Sequence, residues 1–137
     1  MIHNFYILKP NGISIFYKNF GSSEQNLEQD PQNISNFLTA ISLISKQMLG
    51  ESIKTLMTTN FKFVFRWNEA ISLAIFTDIY DDDLKIRSLL REAEESFFQY
   101  FPRADVQLKN GNVKQFESFG GPLTGIIENN CLKVYAG

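Results

Sequence analysis

The sequence is short of the residues that most often carry chemistry. Its single cysteine, Cys131, allows no intrachain disulfide and no multi-cysteine zinc site, and a reducing, cytoplasmic setting is the simplest one for it. Its single histidine, His3, excludes paired-histidine metal sites, and nothing around it marks a nucleophile elbow or an activated thiol. Positive charge is not in excess. Thirteen Lys and Arg stand against fifteen Asp and Glu, a net charge of −2, which argues against a nucleic-acid backbone binder and against a polybasic membrane anchor. A glycine-rich phosphate loop is missing, since Gly120-Gly121 runs into Pro122 and no G-x-G-x-x-G occurs. No apolar run approaches the roughly 20 residues of a membrane span, and the opening MIHNFYILKPNG lacks the basic region and long apolar core of a signal peptide.

Four acidic residues, Asp78, Asp81, Asp82 and Asp83, invite a cation. Counted from Asp78, however, the sixth position is Asp83 and the twelfth is Leu89, where a calcium loop needs glycine and glutamate. Helix capping accounts for them better. These readings name no catalytic, cofactor or metal residue and predict a chain that is not an enzyme. Catalysis by carboxylates alone, for example Asp78 with Asp81, is the one form they leave open.

What is abundant is phenylalanine, thirteen of 137 residues, in a chain that is 44% apolar. That length fits one domain, spanning 1–137, and the aromatics suit a pleated, half-buried sheet. The organising stretch is Asn60–Thr77, NFKFVFRWNEAISLAIFT. Phe61, Phe63, Phe65 and Trp67 alternate with Lys62, Val64 and Arg66, the two-residue period of a strand with one apolar and one wetter face. Asn68-Glu69 turns the chain into a second apolar strand over 70–77.

Taken in order, strands are expected near 2–9 and 13–19 around the hairpin signal Asn11-Gly12. A polar loop follows over 21–30. Asp30-Pro31 then opens a helix over 31–49, closed by Gly50. Its apolar positions Ile34, Phe37, Leu38, Ile41, Ile44 and Met48 form one stripe expected to face a core. A short strand over 52–58 precedes the Phe61–Trp67 hairpin. A second helix is expected over 82–101, burying Ile86, Leu89, Leu90, Ala93, Phe97, Tyr100 and Phe101 and ending at Pro102. Residues 104–112 read as loop, and 113–128 as an imperfect helix interrupted at Gly120-Gly121-Pro122. Leu132–Tyr135 is a tail or an added edge strand.

The fold class is therefore α+β, a five-stranded antiparallel sheet flanked by helices in the order β-β-α-β-β-β-α-(α). That order resembles a longin domain. The opening MIHNFYILKPNGISIFYKNF is similar to the family's first hairpin, as are the helix ISNFLTAISLISKQM, the hairpin NFKFVFRWNEAISLAIFTD and the ESFFQYF end of the second helix. The likeness lies in element order and apolar pattern and spans nearly the whole chain. It implies a non-catalytic interaction module without a cofactor, acting in vesicle trafficking or small-GTPase regulation. The implied partner is a small GTPase or another longin or roadblock subunit, with homo- or heterodimerisation and peripheral membrane association through partners. The sequence contains no heptad segment of the kind the SNARE members carry, so a stand-alone longin is expected. Within the first helix, the uncharged positions Asn33, Ser35, Asn36, Thr39 and Ser42 are the candidate partner contacts. PAS and profilin-type domains also carry a central antiparallel sheet, and for them the expected function is small-molecule sensing.

Overall fold

The computed structural model describes residues 1–10, 12–20, 31–102 and 113–130. Its strands are β1 (Ile2–Leu8), β2 (Ser14–Asn19), β3 (Thr55–Met57), β4 (Phe61–Trp67) and β5 (Ser72–Asp78). They hydrogen-bond in the order β2-β1-β5-β4-β3, and every pair is antiparallel. The helices are α1 (Pro31–Leu49), α2 (Asp83–Tyr100) and α3 (Gly120–Asn129), with a 3-10 helix over Val113–Phe119 leading into α3. The α+β class, the five antiparallel strands and the element order are those expected from the sequence.

The alternation along the strands divides the core into two layers. Phe5, Ile7, Val64, Leu73 and Ile75 face one way, onto Ile86, Leu89, Leu90, Ala93 and Phe97 of α2, Phe116 and Phe119 of the 3-10 helix, and Leu123 and Ile127 of α3. Tyr6, Leu8, Phe63, Phe65, Ala74 and Phe76 face the other way, onto Leu38 of α1, with Ile34 and Trp67 at the margin. The Phe61–Trp67 stripe is therefore core. Phe63 and Phe65 stack with ring centroids 6.1 Å apart, and Phe65 stacks on Trp67 at 5.3 Å.

Local chemistry sets the element ends. Gly12, at φ +90, closes the β1–β2 turn in a region that costs glycine little. Asn68 builds the β4–β5 turn, its Oδ1 accepting from the Ala70 and Ile71 amides at 2.7 and 3.2 Å. That turn delays β5 to Ser72, two residues later than the apolar run suggests. Asp82 caps α2 by accepting from the Leu84 amide at 2.8 Å.

At the other end of the chain, Gly120-Gly121-Pro122 does not break the helical segment. The three residues form the first turn of α3, where no amide hydrogen is required of a proline. Tyr100, expected in the core, is instead exposed. The expected loops over 21–30 and 104–112, the tail Leu132–Tyr135 and Cys131 lie outside the described residues. No described helix is long and apolar enough to cross a membrane.

Candidate interaction surface

The first helix sits on the sheet by an unexpected side. Of the six apolar residues expected to face the core, only Leu38 is buried, and Ile34 packs partly against the sheet. Phe37, Ile44 and Met48 point to solvent, with 49, 53 and 77% of their surface exposed. The physical reason lies in the opposite face. Ser35 is wholly buried, and Ser42 and Ser45 are half-buried. The Ser42 hydroxyl donates to the Leu38 carbonyl at 2.8 Å, and the Ser45 hydroxyl donates to the Glu51 carbonyl at 2.7 Å. Serines satisfied in this way tolerate burial.

The near end of α1 is pinned to the first hairpin. The Gln32 side-chain amide donates to the Gly12 carbonyl at 2.8 Å and to Asn36 Oδ1 at 2.8 Å, while its Oε1 accepts from the Ser14 amide at 3.1 Å. A methyl group added at Gly12 would come within 3.1 Å of Thr39 Oγ1, so the turn and the helix touch.

The five candidate contact residues are thereby divided. Asn33 and Asn36 are exposed, Thr39 and Ser42 are half-buried on the flank toward the hairpin turns, and Ser35 is inside the fold. What the sequence reading missed is the apolar crest itself. Phe37, Ile44 and Met48 recur at intervals of seven and four and so line up along about 16 Å of helix. Their spacing was visible, but periodicity shows that a stripe exists and not which way it points. Beside α1, a cleft of about 470 Å³ opens between the helix and the two hairpin turns.

The acidic cluster is fully engaged in structure. Asp78 accepts from the Met1 ammonium at 2.9 Å and lies 2.8 Å from His3 Nε2. Asp81 accepts from the same ammonium at 2.7 Å and from the Thr77 hydroxyl. Asp83 pairs with the buried Lys62 at 2.5 Å. Among the described residues, no group of three or more His, Cys, Asp or Glu is placed to hold a metal ion.

Two of these groups titrate away from their ordinary values. Partial burial works against the Met1 ammonium, but the hydrogen bonds and charges of Asp81 and Asp78 outweigh it and raise its pKa above 8.0. Partial burial likewise pushes Asp78 up, but the bonds from His3 and the N-terminus outweigh it and hold it below 3.8. A raised base stabilises the fold fully below pH 8.0 and ceases to do so as pH rises through its folded value. A lowered acid stabilises above pH 3.8 and ceases to do so as pH falls through its folded value. Urea midpoints measured against pH are therefore expected to form a plateau between these limits and to fall on both sides. Acetylating the N-terminus should lower the plateau and remove this group's share of the alkaline fall.

No protein-family model and no curated protein matches the sequence. Comparison of structures does find the architecture elsewhere. A chain in the solved structure of the mammalian SRP receptor superposes on this one with a TM-score of 0.55, covering 95% of this chain and 94% of that chain at 10% identity. The two chains share a fold. At that identity the likeness is one of architecture, consistent with a longin-like domain, and it runs the length of both chains.

Proposed function

We propose that this chain is a non-catalytic protein-interaction module of longin type, working in vesicle trafficking or small-GTPase regulation as a subunit or scaffold. Its partner is a small GTPase or another longin or roadblock subunit. The observation that carries the reading is the α1 crest, where Phe37, Ile44 and Met48 stand in solvent while serines of the same helix are buried or half-buried. Large apolar groups aligned on one exposed face suit a partner better than water. The fold neighbour supports the reading in a general way, since a receptor by its name engages other molecules.

The contact set that follows is Phe37, Ile44 and Met48, edged by the exposed Asn33 and Asn36, with Thr39 and Ser42 on the far flank. Ser35 takes part only by seating the helix.

The test is the double variant Phe37→Asp with Ile44→Asp. Both sites are about half exposed, so its urea unfolding energy should stay within about 1 kcal/mol of the parent. Capture from cell extract, identified by mass spectrometry, should recover a small GTPase or a longin or roadblock chain with the parent. The variant should bind that chain at least about a hundredfold more weakly, as expected for two apolar hot-spot residues. Equal retention by parent and variant would remove the crest from the interface, and capture of neither class would remove the proposed partner.

A further inference from the structure

The cleft beside α1 has a chemistry of its own. Its floor and walls are mainly apolar and come from Leu8, Pro10, Leu43 and Trp67, joined from three separate parts of the chain. The Trp67 indole cannot swing inward to fill it, because its Nε1 donates to the Ile53 carbonyl at 2.5 Å. The helix cannot fill it either, because α1 turns the short side chains of Thr39 and Ser42 toward it. Leu43, more than half exposed, stands at the mouth. Three charged side chains line the cleft, and two of them, Lys9 and Lys46, are positive against the single Glu69. In a chain of net charge −2 this is a local reversal of sign.

We infer that this cleft is a docking groove for an acidic peptide segment of a partner protein, anchored by a bulky apolar side chain. The volume lies within the roughly 300–1,000 Å³ of ordinary ligand pockets. Yet the cleft is a partly open trough along α1 and not an enclosed cavity, whereas a small-molecule site encloses most of its ligand. An occupant that continues past the opening, as a peptide does, fits that shape. Trp67 and Leu43 supply the apolar grip, and a tryptophan lining a pocket is a common centre of binding energy. Lys9 and Lys46 complement acidic residues flanking the anchor, which raises the association rate and rejects basic sequences. The groove shares Thr39 and Ser42 with the proposed contact set but none of the crest residues Phe37, Ile44 and Met48, so the inference goes beyond the proposed function, and the crest variant and the groove variants test the two separately.

Three blocked hexapeptides test it: one with a Leu-Phe centre between pairs of acidic residues, one with the same centre between pairs of basic residues, and one with an acidic frame and a Gly-Ser centre. Trp67 is the only tryptophan, so its emission reports the groove directly, and amide chemical shifts map the contact. The acidic Leu-Phe peptide is expected to change Trp67 emission saturably and to shift Leu43, Lys46 and Ser72. Its affinity should drop about fivefold or more in the Lys46→Glu and Leu43→Asp variants, and again on raising ionic strength several-fold. The other two peptides should bind about tenfold or more weakly.

Four results would overturn the inference. They are no saturable change at millimolar peptide, equal binding of the basic peptide, shifts confined to the crest, and a small molecule carried in the groove by the purified protein in native mass spectra. Lys46 and Leu43 are exposed, so loss of binding in their variants cannot be ascribed to a lost core contact.

Discussion

Replacing Phe97 with alanine is expected to lower the unfolding free energy by about 3–5 kcal/mol, the usual range for deleting a buried phenylalanine. Phe97 is wholly buried, and its ring meets those of Phe98, Phe101, Phe116 and Phe119 with centroids 5.8, 5.2, 5.5 and 5.3 Å away. The chain of rings continues through Phe119 to Phe16 of β2 and on to Phe5 of β1. Phe97 is thus where α2, the 3-10 helix and the sheet meet, and a truncated side chain there leaves a hole bounded by rigid rings that cannot close on it. A domain of this size has only about 5–15 kcal/mol in all, so the loss should appear as a large fall in the urea midpoint. Phe97→Leu keeps more of the volume and should cost about half as much. Equal midpoints for the parent and the alanine variant would show that this aromatic junction is not what holds α2 in place.

The second large effect is an asymmetry. Lys62 lies on the α2 side of β4 with only 5% of its side chain exposed, and its ammonium donates to the Asp81 carbonyl at 2.6 Å and to Asp83 Oδ1 at 2.5 Å. It ties the sheet to the start of α2. Removing one partner of a buried pair costs about 3–5 kcal/mol because the remaining charge is stranded, whereas an apolar replacement of similar volume is often neutral. Asp83 is 54% exposed and the Asp81 carbonyl would remain, so Asp83→Ala is expected to cost about 1–3 kcal/mol, below that range. Lys62→Met, which takes the buried charge away, should cost less than Asp83→Ala. Urea unfolding of both variants decides it, and the reverse order would mean that the pair itself, not the stranded lysine, dominates.

How much of this could be read in the residues depended on whether a pattern fixed one outcome or two. Period-two alternation separated the two faces of β4, because a strand side chain has only two directions to take. It read the Lys62–Val64–Arg66 face as the wetter one, however, whereas Lys62 and Val64 are buried. The Asn-Gly and Asn68 turns were legible through their own chemistry. The range of α1 was legible through its proline start and glycine stop. Its orientation was not. A helix with an apolar stripe and a serine stripe can dock by either, and the choice here rests on serines satisfied by backbone carbonyls and on the Gln32 clasp to the hairpin, both of which need the third dimension. Lys62 was hidden for a related reason. A charged residue on the wetter face of a strand reads as solvated until a second helix is laid over it. The groove at Trp67 was also out of reach, since its walls are separated by tens of residues in sequence.

The position of β1 also bears on how the chain is made. It is made before the other four described strands, yet it lies between β2 and β5. Pairing with β2 needs only a tight turn, but its partners on the other edge are distant: Ile2 faces Thr77, 77 − 2 = 75 positions along. Between the end of β2 at Asn19 and the end of β5 at Asp78 there are 78 − 19 = 59 residues still to come. At a synthesis rate of about 5–20 residues per second that is a wait of roughly 3–12 seconds. Throughout it the nascent hairpin presents an unpaired strand edge lined by Phe5, Tyr6 and Ile7, a template on which any other extended chain can pair. The order of translation thus opens a window of exposure that the finished sheet no longer shows.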